Sequence, residues 1–309
     1  MKLEKAEVIW FNGELVPWGE ARVHVLTHAL HYASSVFEGL RVYATPSGPA
    51  VLELRAHAKR LLSSCRIVGL PLERTLEEIE RAILDTVRRN RHDSCYVRPV
   101  VFRGYGEMGV DPSGCPVEMI VATWPLGTHF GPQATSDGIT ACVSSWRRMA
   151  PDTLPAMAKA AANYLNSQLI VLEARRKECD DGLALDFEGY ASEASGANLF
   201  LVCDGGLVTP PAWAGILPGI TRKCVLALAR ELGIEVREQR IPREQLYVSD
   251  EVFLTGTAAE ITPVRSIDGR DVGDGRAGPV TRRLQREFFG LVRGELPDRH
   301  GWLTPVGPS

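Results

Sequence analysis

The period of hydrophobic and polar positions changes several times along the chain, and each change marks an element. Short apolar runs at 7–10 and 14–16 flank Asn12 and Gly13, an Asn-Gly pair that signals a tight hairpin. Another extended run covers 36–43. From 54 to 68, Leu54, Ala58, Leu61, Leu62, Cys65 and Val68 recur at helical spacing, and Gly69 and Pro71 end the pattern. A second amphipathic helix is expected over 76–89, then strands over 95–102 and 117–123. The Pro- and Gly-rich stretch 125–133 follows and reads as an interdomain linker.

Beyond it, the pattern predicts strands over 139–145, 183–186, 198–203, 207–209, 236–241 and 251–255. Helices are expected over 160–177, 218–232 and 279–295. Pro218 suits a first helical turn, where its missing N–H costs nothing, and Gly233 follows the end of that helix. Strands and helices mix without a regular βαβ rhythm, which favours an α+β architecture over a doubly wound sheet. The expected division is a small α+β domain over 1–124, a linker loop over 125–134 and a large α+β domain over 135–309.

Composition narrows the class. A chain of 309 residues, 45% hydrophobic, buries enough for two domains. Its 35 basic and 38 acidic residues give −3, without the basic footprint of a nucleic-acid binder. Seven cysteines, an odd number without a CxxC, point to reduced thiols and a cytoplasmic setting. No apolar run approaches the roughly 18 residues of a membrane span, and residues 1–13 lack a signal-peptide core.

Two motifs invite chemistry and fail on context. Gly104, Gly106 and Gly109 match GxGxxG, but Pro112 and Pro116 follow where a dinucleotide site needs a helix to open. A nicotinamide-dependent oxidoreductase through this segment is therefore the weaker reading. His24, His28 and His31 would share a helical face, but no cysteine or carboxylate joins them at zinc-ligand spacing, so no metal is expected.

Lys159 is the only charge in the small, apolar stretch 154–162, just before a helix. Burial disfavours an ammonium and yields a nucleophilic amine able to form a Schiff base; a lysine reaching solvent from a helix start is the competing reading. Glu193 precedes a turn and a strand. A buried carboxylate there would suit a pyridinium nitrogen, and a surface acid is the plain alternative. The stretch from Leu217 to Thr221 opens a helix whose free N–H groups could meet a phosphate, and the turn at Thr257 and Ala258 could do the same for a small anion. Singly these are an ordinary cap and an ordinary turn.

Taken together with several longer stretches, the chain resembles the bacterial branched-chain aminotransferases, of the class IV, fold-type IV pyridoxal-phosphate enzymes. The likeness is carried by HALHY at His28–Tyr32, VFEGLR from Val36 to Arg41, YVRP from Tyr96, AKA around Lys159 with NYL from Asn163, SE at Glu193, NLF from Asn198, LPGITR from Leu217, and GTAAEITP from Gly256. It runs from Trp10 to Trp302. The resemblance implies the two-domain fold-type IV architecture, with the Schiff-base lysine in the large domain. It implies pyridoxal 5′-phosphate as cofactor, with Lys159 as that lysine and catalytic base. Tyr164 is similar to the tyrosine on the cofactor's phenolic oxygen, and Glu193 to the partner of the ring nitrogen. Arg60, Ile220, Thr221 and Thr257, with the backbone at Leu217, Gly219 and Gly256, resemble the phosphate cradle. Periodicity by itself would leave Arg60 in solvent, well off the apolar stripe of its helix.

For substrate, the resemblance makes Tyr32, Phe37, Gly39, Tyr96, Met108 and Val110 an apolar pocket wall. Thr257 and Ala258 resemble the turn for the α-carboxylate, and Arg98 the partner of glutamate's distal carboxylate. The implied reaction is transfer of an amino group between leucine, isoleucine or valine and 2-oxoglutarate. A D-amino-acid or (R)-amine transaminase, or an aminodeoxychorismate lyase, is the alternative on the same fold. Homodimers are implied, with loops of one subunit closing the other's site, and a hexamer of three dimers is a further possibility. The chain departs from the family pattern at Ala161 and Ala162, where Gly-Gly is usual, and at Leu126 and His129, where aromatic residues are usual. These changes bear on the substrate side chain, since one methylene of fit is worth about 1–3 kcal/mol.

Overall fold

A computed structural model describes residues 3–307. The outermost two residues at each end lie outside the described residues. The chain folds as two compact units. The first takes the residues up to Leu126, Ala158–Ala162, and the residues from Leu291 on; the second takes Gly127–Met157 and Asn163–Gly290. Lys159 therefore groups with the first unit, not with an unbroken 135–309 domain.

In the first unit, β1 (Val8–Phe11) and β2 (Glu14–Pro17) form the expected hairpin, with Asn12 and Gly13 at φ 51° and 122°. A one-turn helix, α1 (His28–Tyr32), precedes β3 (Ser35–Phe37), β4 (Leu40–Thr45) and β5 (Gly48–Leu52). Helices α2 (Leu54–Ile67) and α3 (Leu76–Asn90) follow, then β6 (Cys95–Arg103) and β7 (Val117–Trp124). A short strand, Leu303–Pro305, pairs with β5, which itself was not legible in the sequence pattern. Among the described residues the sheet has eight strands, with β6 at its centre between β4 and β7.

The single strand expected over 36–43 is in fact two. β3 pairs with β6 at Val100–Phe102 and β4 pairs with β6 at Cys95–Val97, with a break at Glu38 and Gly39. Opposite the break stands Pro99, which has no N–H to give a ladder; its carbonyl instead accepts from the Glu38 N–H at 2.9 Å. An ideal Cβ on Gly39 would lie 1.8 Å from the Tyr96 hydroxyl, so only glycine lets that ring pack against the backbone.

In the second unit, a short helix α4 (Ala134–Asp137) leads to β8 (Ile139–Val143) and α5 (Ala161–Arg176), whose first two residues belong to the first unit. The strands β9 (Asp181–Leu185), β10 (Ala191–Ala194), β11 (Asn198–Cys203) and β12 (Gly206–Thr209) come next. Helix α6 (Ile220–Glu231) precedes β13 (Val236–Glu238), β14 (Glu251–Gly256), β15 (Glu260–Ile267) and β16 (Arg270–Asp271). Helix α7 (Pro279–Val292) closes the series. Among the described residues the sheet has nine strands, with β8, β15 and β14 adjacent in its middle. The fold class is α+β, as the patterning predicts. Helix α6 begins at Ile220, with Gly219 as its N-cap, rather than at 218; β13 ends at Glu238 rather than 241; and β10, β15 and β16 were not anticipated. Among the described residues, no helix is long and apolar enough to cross a membrane.

Candidate active site

Lys159 is held by its backbone. Its N–H donates to Ser64 Oγ on α2 at 3.0 Å, and its carbonyl accepts from the Phe37 N–H at 3.0 Å. Val36 bridges to Ala160, and both Ala158 and Ala160 are buried in the core of this unit. Within the apolar run 154–162 only Ala158 and Ala160 are buried; Leu154 and Met157 are exposed, and Lys159 itself is half-buried. Its Nζ lies 5.0 Å from the centre of the Phe37 ring.

The same ring carries a second cation. The Arg98 guanidinium sits 4.6 Å from the Phe37 centroid, 5.3 Å from Tyr96 and 5.7 Å from Trp124. Among the described residues its only hydrogen bond is a long one, 3.4 Å, to the Tyr96 hydroxyl, and its buried Nε has no partner. No carboxylate neutralises it among those residues. A guanidinium resting on aromatic faces is stabilised without being used up, so it can meet an incoming acid.

Arg60 is far from the solvated residue that periodicity suggests: its side chain is only 14% exposed. Its Nε and Nη2 donate to Glu38 at 2.6 and 2.9 Å. Glu38, fully buried, also accepts from His57 Nδ1 at 2.7 Å and from the Gly39 N–H at 3.2 Å. Burial alone would raise the Glu38 carboxyl; Arg60 and His57 outweigh it and hold Glu38 well below the usual carboxylate range. Burial lowers His57, which stays neutral near pH 7. Glu38, His57 and Ser64 were missed in the sequence. The available signal was the spacing of His57, Arg60 and Ser64 at i, i+3 and i+7, one polar stripe on a helix otherwise read by its apolar one.

In the second unit Glu193 is no surface acid. It lies on β10, 6% exposed, and pairs with Arg148 Nη2 at 2.8 Å. Its other oxygen accepts from Asn198 Nδ2 at 3.0 Å and from the Leu217 N–H at 3.1 Å. Asn198 also donates to the Leu217 carbonyl at 2.9 Å, tying the approach to α6 to the carboxylate. At the N-cap, a Cβ on Gly219 would stand 1.8 Å from Asn198 Oδ1. Ile220 and Thr221 are buried in the first turn of α6, whose N–H groups lack intrahelical acceptors. Gly256 pairs with Glu260 to close the β14–β15 hairpin, and Thr257, Ala258 and Ala259 form its loop. Tyr164 is half-buried on α5.

The turn after Glu193 is anchored from β9. The Asp181 carboxylate accepts from the Ser195 hydroxyl and N–H and from the Gly182 N–H, yet burial pushes it up to about 6. A folded-state value above the ordinary 3.8 means that the protonated acid favours the fold. That contribution is complete below about pH 4 and lost as pH rises through about 6, a change of about 3 kcal/mol. An Asp181→Asn protein should therefore gain about 3 kcal/mol on the parent between those limits. Urea unfolding of both proteins across that range measures it, and a pH-independent difference would dismiss the buried acid.

The remaining expected site residues are more exposed. Tyr32, Met108 and Val110 are 42%, 47% and 87% exposed, on the first unit. Leu126 is half-buried; His129, in the second unit, is exposed and lies edge-on to Phe130 with ring centres 4.6 Å apart. The three histidines considered for zinc diverge. His28 binds Ser34 Oγ and the Gly109 carbonyl, His31 binds the Val25 carbonyl, and His24 accepts from the Leu26 N–H. The segment holding Gly104, Gly106 and Gly109 runs from β6 to β7 without opening a helix.

An amine-bearing lysine, a paired buried carboxylate, a helix start with N–H groups and a clamped arginine match, type by type, the groups that a phosphate-bearing pyridine cofactor needs. Residues 35–267 match the family described as amino-transferase class IV, and the chain belongs to that family. Class IV aminotransferases are pyridoxal-phosphate enzymes. Over 307 residues the chain is 53% identical to the branched-chain-amino-acid aminotransferase of Salmonella typhimurium, covering 99% of each. A crystal structure of the Escherichia coli branched-chain amino acid aminotransferase matches with a TM-score of 0.96 at 53% identity, over 98% of this chain and all of that one. The branched-chain aminotransferase of the archaeon Thermoproteus uzoniensis, solved with norvaline, matches with a TM-score of 0.93 at 40% identity, over 98% of this chain and all of that one.

Proposed function

We propose that this enzyme exchanges the amino group between branched-chain L-amino acids and 2-oxoglutarate by a ping-pong route. One observation carries the substrate reading: Lys159 Nζ and the Arg98 guanidinium lie against the same Phe37 ring, at 5.0 and 4.6 Å from its centre. Aromatic surface beside a reactive amine suits an aliphatic side chain, and a cation without a carboxylate partner suits the distal acid of glutamate. The aliphatic half is supported by the relatives above, which are named for branched-chain amino acids and one of which was solved with norvaline.

When bound, pyridoxal phosphate supplies the electron sink that makes the substrate's α-proton removable. Lys159 would carry the cofactor and, once freed, take the α-proton on Nζ and return it to the cofactor's C4′ side. Glu193, paired with Arg148 at 2.8 Å, would meet the ring nitrogen and keep its proton there. Tyr164 would meet the phenolic oxygen. Arg60, the first-turn N–H groups of Ile220 and Thr221, and Thr257 would hold the phosphate, with Leu217, Gly219 and Gly256 letting the backbone approach. The Thr257–Ala258 turn would take the α-carboxylate.

The exposed apolar residues of the first unit, among them Val25 at 74%, Leu30 at 64% and Val110 at 87%, support a homodimer as the working form. No disulfide joins the seven cysteines, which fits a cytoplasmic setting. The segment 125–134 would serve as the interdomain link.

The test is the absorption spectrum of the purified protein before and after addition of L-leucine alone. A visible cofactor band that moves to the near-ultraviolet supports the reading. A band unmoved by L-leucine shifts the assignment to the D-amino-acid or lyase alternative. No band, even after pyridoxal phosphate is added, overturns it.

A further inference from the structure

We propose that Glu38 is a positioning residue for Arg60: it sets the plane of the guanidinium, so that the phosphate-binding donors are aimed before any phosphate arrives. The inference rests on the reading of Arg60 as a phosphate ligand.

The geometry is that of a fork. Glu38 Oε1 accepts from Arg60 Nε at 2.6 Å and Oε2 from Nη2 at 2.9 Å, so two parallel bonds fix the plane and with it the direction of every other donor. A single bond would leave the guanidinium free to rotate. The carboxylate is itself immobile. It is 0% exposed, and Oε2 also takes the His57 Nδ1–H at 2.7 Å and the Gly39 N–H at 3.2 Å. Oε1 is therefore tied to α2, and Oε2 to both α2 and the break between β3 and β4.

That break is not placed at random. Phe37, immediately before Glu38, donates its N–H to the Lys159 carbonyl, and Ser64 on α2 accepts the Lys159 N–H. Helix α2 thus touches the lysine through Ser64 and the arginine's partner through His57. Arg60 and Lys159 are referenced to one rigid set of bonds, all inside the first unit. Distance between the amine and the phosphate anchor is what a phosphate-bearing aldehyde must match, so the clamp should favour the phosphorylated ligand over its unphosphorylated counterpart.

Glu38 also matters for charge. Without it, the Arg60 cation would stand in a nearly buried site beside a neutral His57, with no carboxylate from Glu38 to balance it. The fork gives that cation a buried counter-charge while it fixes the plane of the guanidinium.

Binding of pyridoxal phosphate and of pyridoxal to the full-length apoprotein, followed by visible absorption, tests the proposal. The measured quantity is the preference for the phosphorylated aldehyde. Arg60→Ala serves as reference and should lose most of that preference. Glu38→Gln should lower the preference about tenfold or more while pyridoxal binding stays near that of the parent. Glu38→Asp, which keeps the charge but withdraws the fork, should show an intermediate loss and carries the test if Glu38→Gln does not fold. If Arg60→Ala loses the preference and both Glu38 variants keep it, the positioning role is wrong. Equal weakening of both aldehydes would mean that Glu38 only supports the fold, which also overturns it. If Arg60→Ala keeps the preference, the phosphate reading of Arg60 falls, and this inference with it.

Discussion

Replacing Lys159 by alanine is expected to leave a folded protein that takes up pyridoxal phosphate weakly and has lost transamination by about 10²–10⁴-fold or more, the range removed with a positioned general base. The fold should survive because the lysine is held by its backbone: the bonds to Ser64 Oγ and to the Phe37 N–H do not involve its side chain. One contact of the side chain is its cation facing the Phe37 ring, worth about 0.5–1 kcal/mol at a partly exposed site. Single-turnover reaction with L-leucine, set beside thermal unfolding, reads both parts. Near-normal turnover would remove Lys159 from the mechanism. Collapse of the fold would mean that the ammonium itself is structural.

The second large effect is expected at Arg98, and it should be one-sided. An Arg98→Met protein should react with L-leucine within about threefold of the parent and with 2-oxoglutarate about 10²-fold more slowly in kcat/KM, since a charge-assisted clamp is worth about 1.5–3 kcal/mol. Methionine keeps contact with Phe37, Tyr96 and Trp124 and removes only the charge. No ion pair is broken, because the guanidinium has no acidic partner within the described chain. The half-reactions measured separately decide the matter. A loss shared equally by both would make Arg98 a packing residue, and no loss in either would remove it from acid recognition.

Legibility in the sequence followed the range of the interactions. Helices α2 and α3 were readable to within a residue or two at each end, because their apolar stripes repeat locally and α3 carries a capping box between Thr75 and Glu78. The hairpin at Asn12 and Gly13 was readable for the same reason, since the turn needs positive φ at both positions. Strand β10 was not, being four residues of Ala, Ser and Glu with no alternation, buried on both faces by its neighbours. The break at Glu38 was hidden as well, since it depends on Pro99 opposite, some 60 residues away.

The site residues divide in the same way. Lys159 stood out by being charged in an apolar stretch, a local contrast. Its role as cofactor lysine, and those of Tyr164, Glu193 and Arg60, came from resemblance to a family, carried by short motifs rather than by periodicity. By itself, then, the chain determined its helices, its α+β class, and the few positions where a charge conflicts with its surroundings. Tertiary structure alone decided which of those charges are neutralised. Arg60 is met by Glu38 and Glu193 by Arg148, while Arg98 is met by three aromatic rings. Propensity and period act over one or two turns of chain, whereas the partner of a buried charge is chosen by whichever distant strand or helix the packing brings within about 3 Å.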